Sequence, residues 1–541
     1  MSRTADGRGL RRSMCAAAAV LAVAVSAAGC TSSDDDADAA PATGDATTTP
    51  CSPEGQEKPA KALLRCGDHS IAHVENDWGT GTGIVTEVDG EVYVLTNVHV
   101  VDPFRTAEVT IGDGDTITLP VVGTDVAADI ALLGPLDDPD SVPLPLASGL
   151  DVEKGDDVYA IGYPGENPED DRELTVSSGI VSRVRSLPDF DQTYLQTDAT
   201  IASGQSGGPL FDDGGRVLGV TGLSDEDFGF ALVGKDVSAA AERVAAGDGD
   251  DLLTVPATVP ADGEDVPEGG TTSGTAVVAG AADGASLFLP PSDEARTWKL
   301  SVPAAAGDVS VDVMDQSDGE PLATSASSRR LAGELANRMS EAMKVDPAQA
   351  RAQVEQAFGG MDPELAAKET SPGEFTIELE EGQGAEIAIS VPLAESEVQV
   401  PWTSDQPLWP LSRPIGTESI EVGDTVDGIL SGYDSGQDLT VDLEEGQEVE
   451  IWARSPQGDM SVTVLPPGSK LDAIAVWAPE VSSLETFEDS DVGLFGLDVQ
   501  ERFTAEQTGT YRFAVTNYDG VPVAWRVTVT DCDEKDACKK S

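Results

Sequence analysis

Gly204-Gln205-Ser206-Gly207-Gly208-Pro209-Leu210 constrains this chain more than any other stretch. Glycines 204, 207 and 208 let the backbone fold back sharply, because glycine alone enters left-handed conformations without steric cost. The amides of Gly204 and Ser206 can then converge on one point. Such a pair would form an oxyanion hole, in which one donor can be worth about 3 kcal/mol. Two residues precede the serine in order. His99 lies in Leu95-Thr96-Asn97-Val98-His99-Val100-Val101, and Asp129 in Ala128-Asp129-Ile130-Ala131-Leu132-Leu133.

A serine hydroxyl is a poor nucleophile at neutral pH, so an imidazole must take its proton during attack and return it to the leaving group. Histidine does both near pH 7. An aspartate beside an apolar run suits a carboxylate that fixes the imidazole tautomer. Taken singly, each residue has an ordinary reading: a Gly-rich turn, a histidine at a strand end, a surface carboxylate. Jointly, each begins or ends an apolar β-like run, and the order is His, Asp, Ser. The expected roles are His99 as general base and acid, Asp129 as its orienter, Ser206 as nucleophile, and Gly204 with Ser206 as oxyanion donors.

From about Ser70 to Val244 the chain resembles the HtrA/Deg group of trypsin-like serine proteases. The resemblance rests on Gly79-Thr80-Gly81-Thr82-Gly83-Ile84-Val85, the histidine and aspartate motifs, Asp156 to Pro164, Thr197 to Ile201, the serine turn, and Gly229-Phe230-Ala231-Leu232 before a final helix, Val237 to Ala246. It implies a chymotrypsin-type double β-barrel and a specificity pocket at Thr200, Gly222 and Gly229. No carboxylate stands at Thr200, which disfavours Lys or Arg and favours small aliphatic residues. Gln205 stands where that group usually has asparagine and pancreatic-type enzymes have the aspartate that pairs with a newly cut N-terminus, so activation by such cleavage is not expected. Nothing after Ala246 resembles the PDZ modules that often follow.

Arg3, Arg8, Arg11 and Arg12 precede an apolar run from Met14 to Gly29 that reads as a signal peptide over residues 1–29. Ala27-Ala28-Gly29-Cys30 resembles a bacterial lipobox, which implies lipidation of Cys30; the alternative is plain secretion. Four cysteines besides Cys15 and Cys30 form two close pairs, Cys51 with Cys66 and Cys532 with Cys538, which an oxidising compartment would bridge. Metal ligation fits poorly, with no histidine at ligand spacing. No cofactor and no metal site is expected.

The sequence has 98 acidic and 32 basic residues, a balance that excludes nucleic acid as a partner because phosphates would be repelled. Such acidity suits either high salt or a surface protein that needs solubility. No EF-hand calcium loop is present.

Composition divides the chain into an acidic disordered tether over 30–60, a protease domain over 61–246, a linker over 247–272, a β-sandwich-like module over 273–400 with a helical insertion at 325–368, a linker over 401–414, a second sandwich over 415–531 and a tail over 532–541. Met339 and Met343 read as packing residues of the insertion. An internal repeat supports two related modules: Phe375 to Gln383 recurs as Leu439 to Gln447. The second module resembles the bacterial pre-peptidase C-terminal domain.

The fold class is therefore mainly β, a double barrel followed by two β-sandwich modules. The function expected is that of an exported serine endopeptidase, in extracytoplasmic quality control or processing, with protein or peptide substrates and a lipid anchor in the membrane. The alternative is a cell-surface binding or adhesion lipoprotein whose protease domain is vestigial or self-processing, with a cell-wall or protein ligand for the β-modules.

Overall fold

The computed structural model describes residues 50–538, apart from 77, 139, 166–172, 225–227, 260–266, 279–283, 307–308, 317–318, 359–364, 366–367, 392–397, 413–416, 433–435, 470–484, 489–497, 518–520 and 533–537. The signal peptide, Cys30 and most of the tether lie outside the described residues, as do the side chains of Met339 and Met343.

The architecture is mainly β. Strands β1 (Ile71–Asn76), β2 (Gly79–Val88), β3 (Glu91–Thr96), β4 (Thr106–Ile111), β5 (Ile117–Asp125) and β6 (Ile130–Leu133) close into one barrel in the order β1-β2-β3-β6-β5-β4. Strands β7 (Asp157–Gly162), β8 (Thr175–Leu187), β9 (Gln192–Thr197), β10 (Pro209–Asp212), β11 (Val217–Ser224) and β12 (Gly229–Val233) close a second in the order β10-β11-β12-β9-β8-β7. Closure removes the exposed strand edges that an open sheet would leave. Alternate residues point inward, so Ala72, Val74, Val85 and Val94 fill the first barrel, and Val158, Ala160, Leu195 and Leu210 the second.

The helix Gly234–Ala245 follows β12 and buries Val237, Ala240, Ala241 and Val244, four residues at helical spacing. In front of the barrels, Cys51 is disulfide-bonded to Cys66 on the helix Pro59–Ser70. Ser52 Oγ then donates to Gly214 O of the second barrel at 2.9 Å, fastening this front segment to the enzyme-like core. Cys532 is bonded to Cys538.

Downstream, among the described residues, eight strands run in one path through the long strand Val398–Pro410, whose end pairs with Gly284–Leu289, and a ninth, Thr271–Val278, pairs with its first half off that path. The path folds over a shared core that includes Trp298, Val311, Ile377, Ile387 and Trp402. Two helices, Ala326–Met343 and Pro347–Phe358, are inserted here. A five-stranded and a four-stranded sheet follow and enclose Leu439, Ile451, Phe513, Trp525 and Val527.

The internal repeat appears as the same turn built twice. Glu380 N and Glu444 N donate to the side-chain oxygens of Gln383 and Gln447, at 2.9 and 3.0 Å. Gly382 and Gly446 take φ of 73° and 85°, the third-position conformation of a type II turn.

Two linker expectations need correction. Residues 401–410 belong to the strand Val398–Pro410, with Trp402, Leu408 and Trp409 buried, so this stretch is not a linker and the strand accommodates its prolines. The segment expected as a free linker after Ala246 is also docked in part. Val255 N donates to Pro103 O and Arg105 N to Val255 O, and Val255 and Val259 pack with Phe104 of the first barrel and Phe288 and Trp409 of the module that follows. Apolar side chains in this stretch gain more by covering Phe104 than by remaining solvated.

Candidate active site

His99 lies on the single turn Val98–Val101 that follows β3. Asp129 closes the loop between β5 and β6 with a left-handed φ of 53°, a conformation aspartate tolerates better than most residues. This conformation lets one residue make three contacts. Asp129 O accepts from Asn97 Nδ2 at 2.7 Å, Oδ1 accepts from His99 N at 3.1 Å, and Oδ2 faces His99 Nδ1 at 2.7 Å. The carboxylate therefore fixes the ring with its proton on Nδ1 and leaves Nε2 free to accept.

Asp129 is buried and the His99 side chain is 25% exposed. Burial opposes a charge on the imidazole, but the attraction of the Asp129 carboxylate and its hydrogen bond outweigh that, so the His99 pKa is raised above its ordinary value.

The loop carrying Asp129 is held throughout. Asp125 Oδ1 accepts from Ala128 N at 3.0 Å, and Asp129 N donates to Val126 O at 3.1 Å. Arg243 of the helix Gly234–Ala245 grips Asp125 Oδ2, and Asp250 Oδ2 accepts from Val126 N at 2.6 Å. Gln192 Nε2 donates to Ala127 O at 2.5 Å.

Ser206 is half-buried in the turn before β10. Gly204 and Gly207 have φ of 88° and 85°. A Cβ on Gly204 would strike Gly165 N and Tyr163 O, and one on Gly207 would strike Thr82 O and Thr96 Oγ1, so both positions require glycine. Thr82 of the first barrel holds the turn, its N–H donating to Ser206 O and its hydroxyl to Gly204 O, each at 2.8 Å. The turn is thereby seated against Thr96, three residues before His99. Gln205 is buried as a brace: its Oε1 accepts from Ala202 N at 2.8 Å and its Nε2 donates to Thr175 Oγ1 at 3.0 Å.

Among the described residues, the N–H groups of Gly204 and Ser206 donate to no protein acceptor, which leaves both available to an oxyanion. Ser206 Oγ and His99 Nε2 are not hydrogen-bonded; the serine turn is seated against Thr82 and Thr96 without closing that contact, as is common before substrate binds.

The three residues expected at the specificity pocket are distributed differently. Thr200 is exposed, with its carbonyl accepting from Ser177 Oγ at 2.5 Å. Gly229 backs onto Ile201 and Ala199, beside Thr200, whereas Gly222 lies against the Asn97 side chain on the histidine side. No group of three or more His, Cys, Asp or Glu side chains among the described residues could hold a metal ion.

The sequence reading missed the supports, namely Thr82, Gln192, Arg243 and Asp250. Thr82 stood within a quoted Gly-Thr repeat, but the other three carry no local signal.

This fold and site define a class before any particular relative. Residues 81–220 match the Trypsin-like peptidase domain family. The chain is 33% identical over 183 residues to the Serine protease Do-like HtrA of Bacillus subtilis, covering 31% of this chain and 40% of that protein. It is 37% identical over 174 residues to the mitochondrial Serine protease HTRA2 of Bos taurus, covering 30% and 36%. A solved serine endoprotease from Yersinia pestis aligns at 28% identity over 34% of this chain and 66% of that one, with a TM-score of 0.30. The chain thus spans less than half the length of these two curated relatives.

Proposed function

We propose that this protein is an exported, HtrA-like serine endopeptidase, held at the outer face of the cytoplasmic membrane through a lipid on Cys30. The carrying observation is the Asp129–His99 pair, with its Nδ1 contact of 2.7 Å, set beside a serine turn with two free N–H groups. His99 Nε2 takes the proton of Ser206 Oγ as that oxygen bonds to the substrate carbonyl carbon. The tetrahedral oxyanion is held by the N–H groups of Gly204 and Ser206. His99 then passes its proton to the leaving amine, the C–N bond breaks, and an acyl-Ser206 ester remains. Water, deprotonated by the same imidazole, releases the acid and restores the serine.

The similarity to Do-like and DegP-like proteases supports protein or peptide substrates and an extracytoplasmic role in quality control or processing. Thr200 offers no carboxylate, which is why preference for Lys or Arg is disfavoured in this reading and small aliphatic residues remain the expectation. Among the described residues no helix is long and apolar enough to cross a membrane. The domain divisions, and the likeness of the last module to a pre-peptidase C-terminal domain, belong to this proposal. Labelling with a fluorophosphonate probe, lost in Ser206→Ala, tests the nucleophile; Cys30→Ser released from the membrane fraction tests the anchor.

A further inference from the structure

The last β-module touches the loop that carries Asp129. Gln457 sits between the strands Glu448–Arg454 and Met460–Leu465, in a turn fixed by Ser455, whose Oγ accepts from Gly458 N at 2.9 Å and from Gln457 N at 3.3 Å. The Gln457 side chain is buried against the junction of the two barrels, and its Nε2 donates to Ala127 O at 2.6 Å and Val126 O at 3.3 Å. Val126 O is also the acceptor of Asp129 N. A residue 331 positions beyond Val126 thus holds the same carbonyl that fixes the backbone of Asp129.

The contact is anchored by a second grip. Arg454 Nη1 lies 2.5 Å from Asp189 Oδ2, and Arg526 donates to Asp189 O and stacks over Phe190, in the turn Pro188–Phe190 between β8 and β9. The buried Tyr194 phenol is influenced by both Gln457 and Asp129. It is pushed up by burial first and by Asp129 next, so it stays a neutral donor to Gln192 Oε1. Gln457 and Gln192 each donate to Ala127 O, so two neutral amides hold the turn that leads into Asp129.

Resting on the peptidase reading above, we infer that Gln457 is a positioning residue for the reaction: it clamps the Val126 and Ala127 carbonyls, so that docking of the C-terminal module sets the aim of Asp129 at His99. The module then acts on turnover in cis, from behind the triad, rather than by recruiting substrate.

The test uses the full chain with Gln457→Met, which keeps the side-chain length but loses the donor. Fluorophosphonate labelling, kcat, KM, the pH profile and the melting temperature are compared with wild type. The inference requires kcat to fall between about 3-fold and about 100-fold, the scale of small misplacements at an active site. KM should stay within about 2-fold. The acid limb should also shift toward the ordinary histidine value as the Asp129 contact loosens. An unchanged kcat and pH profile in folded Gln457→Met overturns it, as does a loss of activity that only follows the melting temperature. If Gln457→Met does not fold, Arg454→Met, which releases the docking at Asp189, must show the same paired change; an unaltered profile there overturns the inference equally. Wild-type protein that shows no Ser206-dependent labelling would instead defeat the peptidase reading itself.

Discussion

Asp129 holds His99 from two sides, its Oδ1 accepting the His99 backbone N–H at 3.1 Å and its Oδ2 facing Nδ1 at 2.7 Å. The ring is therefore fixed in direction and raised in basicity by one carboxylate. Because the pKa of His99 is raised, the neutral base is lost on acidification at a higher pH than for a free histidine. The acid limb of kcat/KM should have its midpoint above about 6.5. Asp129→Asn should lower that midpoint and cut turnover by about 10⁴-fold, as in the trypsin-type triad. A pH-rate profile of both proteins checks this.

Gly207 should not accept alanine. Its φ of 85° and the approach of Thr82 O and Thr96 Oγ1 leave no room for a Cβ, so Gly207→Ala must displace the serine turn. Strain of this kind costs about 1–3 kcal/mol. Melting should fall modestly and fluorophosphonate labelling sharply, both measurable on one preparation.

Arg243→Ala removes the partner of the buried Asp125 carboxylate, which also caps Ala128 N. Leaving that group unpaired should cost about 1–3 kcal/mol. Chemical denaturation measures the loss, and the Asp125–Asp129 loop should exchange amide hydrogens faster.

Much of the site was legible because it is written locally. His99, Asp129 and Ser206 each end or begin an apolar run, and a turn that needs left-handed backbone at two positions can only be spelled with glycines. The supports were not legible for a physical reason. Gln457 reaches Ala127 because two folded bodies meet there, and no local pattern marks which surface glutamine will be covered. The strand Val398–Pro410 carries prolines, which sheets disfavour, although Trp402, Leu408 and Trp409 supplied buried apolar residues. The segment 247–272 looked like a spacer by composition, yet Val255 and Val259 are just apolar enough to seal Phe104.

That seal gives a truncation test. Both fragments lose Phe288 and Trp409 from this cluster, but one ending at Asp250 also lacks Val255, whereas one ending at Val259 keeps Val255 over Phe104. Burial of one such valine is worth about 1.5–3 kcal/mol. The longer fragment should melt higher, as differential scanning calorimetry would record.

Asp498 should make the stability of the last module pH-dependent. Burial pushes its carboxyl up to about 7, against the hydrogen bond from Ser455 N and the charge of Arg454, which pull it down. The folded protein therefore holds a proton there that the unfolded chain has lost. Stability from this group is complete below about pH 4 and is lost as pH rises through about 7. Asp498→Asn should remove that decline, seen by comparing melting temperatures between pH 5 and 8.

The central claim, that Ser206 is an activated nucleophile, is tested most directly by reacting the purified full-length protein with a fluorophosphonate probe and locating the adduct by mass spectrometry. The account predicts a single adduct on Ser206 that is absent in Ser206→Ala and slowed in His99→Ala and Asp129→Asn. Labelling that is undiminished in Ser206→Ala, or no labelling of the wild type at any pH from 6 to 9, would contradict it.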